Sequence, residues 1–188
     1  PAPRTYELAG KPLGIVGLGN IGKKTARLAR AFGMRVIYND IKRLSEDEAD
    51  QAGVQFRVLR ELLREADVVS LHTPLNASTR HLIGKAELEE MKPEAILVNT
   101  ARGPVIDEKA LHEHLAAGKI FGAGLDVFDQ EPPPADNPLF DLDNVVLTAH
   151  FAGPTWDNHS ARFRNAFDNI QRVERGEAPL WIVPELNL

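Results

Sequence analysis

The sequence predicts an α/β domain: a doubly wound parallel sheet with helices on both faces. Two observations predict it. Short apolar runs alternate with longer amphipathic stretches along the whole chain, the pattern of βαβ units. The short runs are continuously apolar rather than alternating, as strands buried on both faces require. Right-handed crossovers between such strands leave the doubly wound sheet as the leading architecture.

The elements follow in order. Leu13 to Val16 is a short buried strand ending in glycines. Ile21 to Phe32 carries apolar or small residues at Ile21, Thr25, Leu28, Ala29 and Phe32, a helical spacing closed by Gly33. Arg35 to Tyr38 is β-branched and aromatic, a second strand. Ser45 caps a short helix with Asp47 and Glu48 in its first turn. Val54 to Val58 reads as a third strand and Leu59 to Glu65 as a short helix. Asp67 to Leu71 is a strand stopped by Pro74, and Lys85 to Met91 a helix stopped by Pro93. Ala95 to Asn99 is a strand; Asp107 caps a helix that runs to Ala117 before Gly118. Gly122 to Val127 and Val145 to Leu147 are strands, and Thr155 to Arg175 is a long terminal helix ended by Gly176. Pro132 to Pro138 reads as an ordered surface loop.

Composition narrows the function classes. The chain has 188 residues, 27 acidic and 22 basic, a formal net charge of −5. That length suffices for a substantial core without staples. The absence of cysteine excludes disulfides, thiolate metal sites and a cysteine nucleophile. It also fits a reducing compartment such as the cytoplasm. The acidic balance argues against nucleic acid as a partner. No run of 18 apolar residues is present, so no membrane span is expected. Pro1 to Arg4 lacks a cationic stretch followed by an apolar core, so no signal peptide is read there.

Gly17-Leu18-Gly19-Asn20-Ile21-Gly22 is a GxGxxG turn between a strand and a helix, the context that a dinucleotide fingerprint demands. Gly17 permits the tight turn, Gly19 lets a pyrophosphate approach the backbone, and Gly22 lets helix and strand pack closely. The helix N-terminus then faces the phosphates. Asp40 ends the second strand, placed to accept hydrogen bonds from the adenosine ribose and to repel a 2′-phosphate, which favours NAD. Lys42 and Arg43, just beyond, are cations that would soften this discrimination in part. The alternative is a plain glycine turn with a solvated aspartate. The assembled pattern is that of a Rossmann-type sheet.

Three polar residues follow later strands: Arg102, Glu131 and His150. In an open parallel sheet, ligands sit at the carboxyl ends of strands. Reduction of a 2-keto acid needs a cation for the carboxylate and a proton donor near neutral pH, which arginine and histidine supply. A carboxylate such as Glu131 would orient the imidazole. Taken singly, each such position is more often an exposed or structural residue. His112 and His114 are two apart on one helix and read as surface residues. His72 is placed to line a cofactor cleft, and His81 and His159 have no evident partner. No histidine and carboxylate spacing suggests a metal.

These residues fall in motifs of a known family. Besides the glycine turn they are Leu71-His72-Thr73-Pro74-Leu75, Met91-Lys92-Pro93 and Val98-Asn99-Thr100-Ala101-Arg102-Gly103. Further on come Gly124-Leu125-Asp126-Val127-Phe128 with Glu131-Pro132, and Asn144 through His150. From about Ala9 to Pro184 the chain resembles the NAD-binding domain of the D-isomer-specific 2-hydroxyacid dehydrogenases. The resemblance implies an NAD-dependent oxidoreductase interconverting D-2-hydroxy and 2-keto acids. It casts Arg102 as the substrate-binding arginine, His150 as general acid/base and Glu131 as its partner. It assigns the pyrophosphate to Asn20 and Ile21, the adenosine wall to Thr73 and Pro74, and the nicotinamide ribose to Thr100 and Ala101. Asp126 is similar to the residue that holds the nicotinamide carboxamide, and by the same resemblance Gly153 would lie near the ring.

Two departures accompany the resemblance. Ala149 stands where the family usually has proline. Only 16 residues precede Gly17, so the family's substrate lobe is absent and the chain reads as a fragment, with a natural short protein as the alternative. Residues 1–176 would be the NAD-binding domain, and 177–188 a tail returning to the missing lobe. The family is usually dimeric through this domain, which implies a homodimer. A non-catalytic NAD(H)-binding module of the corepressor type is the second reading, and an unrelated Rossmann domain the third.

Overall fold

The apolar runs become seven parallel strands, and burial on both faces explains why they are continuous. The structure is a computed structural model, and it describes residues 6–153, 155–180 and 182. The expectations for Pro1 to Arg4, and for the tail at Trp181 and residues 183–188, lie outside the described residues. The strands are β1 (Pro12–Val16), β2 (Arg35–Asn39), β3 (Val54–Phe56), β4 (Val68–Leu71), β5 (Ile96–Asn99), β6 (Gly122–Leu125) and β7 (Val145–Leu147). Their spatial order is β3-β2-β1-β4-β5-β6-β7. All pairs are parallel, with Gly14 opposite Ile37 on one side and Val69 on the other. The chain therefore winds outward in both directions from β1 and β4, the switch point where such sheets bind ligands.

Successive residues of a strand point to opposite faces. In β1 and β2, Leu13, Ile15, Val36 and Tyr38 enter one core while Val16 and Ile37 enter the other. The helices that cover these faces are α1 (Asn20–Ala31), α2 (Glu46–Ala52), α3 (Leu59–Glu65), α4 (Lys85–Glu89) and α5 (Glu108–Ala116). A side chain at Gly14 would meet Leu62 of α3 at 2.5 Å, so glycine sets how closely α3 approaches β1.

The caps behave as expected. Ser45 accepts from the Glu48 amide while the Glu48 side chain accepts from the Ser45 amide, and Gly53 closes α2 with φ of 60°. Asp107 accepts from the Ala110 amide at the start of α5.

Two side-chain placements differ from what the pattern suggests. The stripe Ile21, Leu28 and Phe32 on α1 is mostly in solvent, each residue about 60% exposed or more. The helix instead buries its small residues Gly22, Ala26 and Ala29. Close approach of α1 to the sheet selects the small face, and the large one is left outside.

The expectation of surface positions for His112 and His114 is also corrected. His112 is half-buried, and His114 is only 2% exposed. α5 buries Ala110, Leu111, His114 and Leu115 together. The imidazole Nδ1 meets the Ala110 carbonyl oxygen one turn back at 2.9 Å, while its Nε2 is buried without a partner among the described residues.

The chain divides into two compact units between His150 and Phe151. The second contains a short 3₁₀ turn at Trp156–Asn158 and α6 (His159–Glu174). α6 carries an exposed apolar stripe, Phe163, Phe167, Ile170 and Val173. The Asn169 side chain brackets Leu180, donating to its carbonyl and accepting from its amide, both at 2.8 Å. Among the described residues, no helix is long and apolar enough to cross a membrane.

Candidate active site

The glycine turn follows β1 at the switch point. Gly17 has φ of 95°, and a side chain on it would strike the His72 carbonyl at 2.8 Å. A side chain at Gly22 would stand 2.2 Å from the Gly17 carbonyl oxygen. Gly19 differs: its missing Cβ faces open space. α1 begins there with no capping side chain and no acidic residue in its first turn. α2, by contrast, has a capping box and three acids. The first amides of α1 lack intrahelical partners, and its positive end is not neutralised.

Asp40 lies beside this turn. Its Oδ2 accepts from the Leu18 amide at 2.6 Å and its Oδ1 from the Lys42 amide at 2.8 Å. Both oxygens are thereby fixed in orientation. Thr73 follows β4 against the glycine turn, and its buried hydroxyl has no partner among the described residues. Pro74 is exposed beside it. Ser70 Oγ and His72 Nε2 are 3.0 Å apart. Burial holds the His72 imidazole below its ordinary pKa.

The loop after β5 is built on Asn99, which is 1% exposed. Its Oδ1 accepts from the Ala101 amide and its Nδ2 donates to the Arg102 carbonyl, both at 3.0 Å. This folds Thr100, Ala101 and Arg102 into a tight turn. Thr100 and Arg102 are exposed and Ala101 is buried. A side chain at Gly103 would overlap the Phe128 carbonyl oxygen, at 1.8 Å. The loops after β5 and β6 are thus pressed together, which brings the charge of Arg102 within reach of Glu131.

Glu131 Oε1 accepts from the Phe128 amide at 3.1 Å, and Oε2 meets His150 Nδ1 at 2.6 Å. Burial pushes the Glu131 carboxyl up. The hydrogen bonds from His150 and Phe128 and the charges of His150 and Arg102 outweigh it, holding the group below the usual carboxylate range. His150 itself has φ of 58°, a left-handed backbone that costs a non-glycine residue about 1 kcal/mol or more. Its amide donates to the Asp126 carbonyl at 2.9 Å. Thr148 Oγ1 donates to Asp126 Oδ1 at 2.6 Å. A cavity of about 600 Å³ adjoins the pair, with Phe128, Pro132, Phe140, Leu147 and Ala149 as its apolar lining.

Arg102, Glu131 and His150 are therefore neighbours at adjacent strand ends, with Asp126 buried among them. Gly17, Gly19, Asn20, Ile21, Gly22, Asp40, Thr73 and Pro74 gather around the other end of the same sheet edge. Gly153 belongs to the second unit, where its carbonyl accepts from Asn158 at 3.3 Å. Sequence reasoning missed Asn99 and Thr148 as supports. Their signal was the polar residue at the end of an otherwise apolar strand. Among the described residues no group of three or more metal-binding side chains is assembled.

An uncapped helix start, an open approach at Gly19, an oriented carboxylate and an orphan hydroxyl fit a dinucleotide. Comparison with known proteins agrees. The family model for the NAD binding domain of D-isomer specific 2-hydroxyacid dehydrogenases matches residues 1–152.

The chain belongs to this family.

Among relatives of this NAD-binding domain, a glyoxylate reductase of Korarchaeum cryptofilum is 49% identical over 174 residues, 93% of this chain and 52% of that protein. The crystal structure of a glyoxylate reductase from Paecilomyes thermophila superposes with a TM-score of 0.87 at 41% identity, covering 96% of this chain and 54% of that one. A D-isomer specific 2-hydroxyacid dehydrogenase from Lactobacillus delbrueckii ssp. bulgaricus, in its NAD complexed form, gives 0.86 at 33% identity, covering 96% and 58%. The NAD-binding domain thus spans about half the length of the curated relatives it matches.

Proposed function

We propose that this chain is the cofactor-binding part of an NAD-dependent oxidoreductase that interconverts a small D-2-hydroxy acid and its 2-keto acid. The observation that carries the proposal is the Glu131–His150 contact at 2.6 Å beside Arg102. Bound NADH supplies the hydride. In this reading the guanidinium of Arg102 binds the substrate carboxylate through its fork of donors. His150 uses Nδ1 on Glu131, which leaves Nε2 to give a proton to the substrate's carbonyl oxygen. Glu131 fixes the ring orientation through Nδ1. Asp40 accepts from the adenosine ribose, Asn20 and Ile21 present amides to the pyrophosphate, and Thr73 and Pro74 wall the adenosine. Thr100, Ala101, Asp126 and Gly153 are assigned to the nicotinamide half.

The similarity to glyoxylate reductases supports a small 2-keto acid as substrate. Reductases and dehydrogenases among the relatives also favour an enzyme over the corepressor-type module. A homodimer is part of the same reading. The exposed α1 stripe of Ile21, Leu28 and Phe32 supports it, because monomers seldom leave such a row in water. We keep residues 1–176 as the functional NAD-binding domain and 177–188 as the return to a substrate lobe. A cytoplasmic location, tested by cell fractionation, completes the assignment.

The test is NADH oxidation against a panel of 2-keto acids by the enzyme and its His150→Ala variant. Turnover should fall about 10²- to 10⁴-fold in the variant while NADH binding persists. Unchanged turnover would overturn the role of His150. NADH binding with no turnover of any acid by the full-length protein would favour the binding module, whereas the same result from this chain alone fits a cofactor domain without its substrate lobe.

A further inference from the structure

Asp40 and Arg43 are close in sequence, yet the fold turns them to opposite sides of β2. The Asp40 carboxylate accepts from the Leu18 amide, in the turn after β1. The Arg43 guanidinium lies over the Phe56 ring, 4.8 Å from its centroid, at the end of β3. In the sheet β2 stands between β1 and β3. The carboxylate is therefore directed to the glycine turn, and the guanidinium is directed away from it.

The connection between β2 and α2 holds this arrangement. The Lys42 amide donates to Asp40 Oδ1, the Leu44 amide donates to the Tyr38 hydroxyl at 2.9 Å, and Ser45 opens α2 with its capping box. Tyr38 is fully buried and meets Phe56 edge-on, with centroids 5.5 Å apart. Phe56 is held by Tyr38 and in turn holds Arg43. Among the described residues Arg43 makes no salt bridge, and its partner is the Phe56 ring. Two other cations here, Lys23 and Lys42, lie close enough to Glu48 for their charges to act on it. Hydrogen bonds with Ser45 keep that carboxyl low, and the two lysines add to the effect. Arg43 is the cation of this connection whose position an aromatic ring holds.

We propose that Phe56 is a positioning residue for cofactor selection. By keeping Arg43 on the β3 side, it withholds a guanidinium from a 2′-phosphate and sharpens the preference for NAD that Asp40 sets. The inference rests on the reading of the glycine turn and Asp40 as a dinucleotide site. Phe56 needs no contact with the cofactor: it acts through where it parks Arg43. Any NADPH that recruits Arg43 must first strip it from the ring.

The experiment measures dissociation constants for NADH and NADPH by calorimetry. The proteins are the parent, Phe56→Leu, Arg43→Ala, the double variant and Asp40→Ala. Leucine keeps an apolar group against Tyr38 but removes the aromatic face. Phe56→Leu should tighten NADPH roughly two- to fivefold, the equilibrium value of an exposed cation–π contact, and leave NADH unchanged. Arg43→Ala alone should leave NADH unchanged and weaken NADPH by no more than about twofold, and in the Phe56→Leu background it should abolish the gain.

An unchanged NADPH constant in Phe56→Leu, or a gain that survives Arg43→Ala, would overturn the proposal. If Phe56→Leu does not fold, Arg43→Ala decides alone: NADPH binding weakened well beyond about twofold would mean that the ring does not hold the arginine from the phosphate, which overturns it. Asp40→Ala separates the two layers. If it narrows the preference while Phe56→Leu does not, only the role of Phe56 falls. If neither parent nor Asp40→Ala binds a dinucleotide, the cofactor reading falls and this proposal with it.

Discussion

His72 shows how one side chain can tie the cofactor edge to pH. Burial favours its neutral form, so its folded pKa lies below the ordinary histidine value of about 6.5. The unfolded chain then binds the extra proton first as pH falls. The contribution of His72 is full above about pH 6.5 and is lost as pH drops from there through the folded pKa. Urea midpoints at about pH 7.5 and about pH 5.5 should show a smaller acid loss in His72→Gln than in the parent. An equal loss in both proteins would remove His72 from the account. The sequence placed His72 at a strand end. It could not reveal burial, which depends on the glycine turn lying against the His72 carbonyl.

Among the elements, α1 and α2 begin in opposite ways, and the difference is functional. α2 satisfies its own start with Ser45, Glu48 and two further acids. α1 leaves its start open behind Gly19. Gly22→Ala should push α1 from the turn, since the added methyl meets a backbone oxygen that cannot swing aside. A loss of roughly 1–3 kcal/mol is expected in urea unfolding, with weaker NADH binding. Ser45→Ala should cost about 1 kcal/mol and spare NADH binding. Equal effects of the two on binding would deny α1 its special start. Strand positions, Gly33 and both caps were legible because each rests on a few adjacent residues. Helix ends shifted by a few residues: the terminal helix starts at His159, after a 3₁₀ turn, rather than at Thr155.

For the molecule as a whole, the exposed apolar rows set the expectation of assembly. If α1 forms the homodimer contact, Leu28→Glu places a charge in the middle of the row and should yield a monomer by sedimentation. NADH binding should be retained, because Leu28 lies on the face of α1 away from the core residues Gly22, Ala26 and Ala29. An unchanged sedimentation profile would move the interface elsewhere.

Local pattern was enough for the parallel sheet, the glycine turn and the strand-end positions of Arg102, Glu131 and His150. Strand burial, turn glycines and caps act over a few residues, so the chain displays them directly. The choice of the small face of α1 for the core, the burial of His114 and the turning of Arg43 onto Phe56 were not legible. The pairing of Glu131 with His150 was expected, but the 2.6 Å contact between residues 19 apart is supplied by the fold. Each depends on the distance between elements remote in sequence. Packing sets that distance by close approach at residues such as Gly14, Gly22 and Gly103, where a single methyl group would overlap its neighbour.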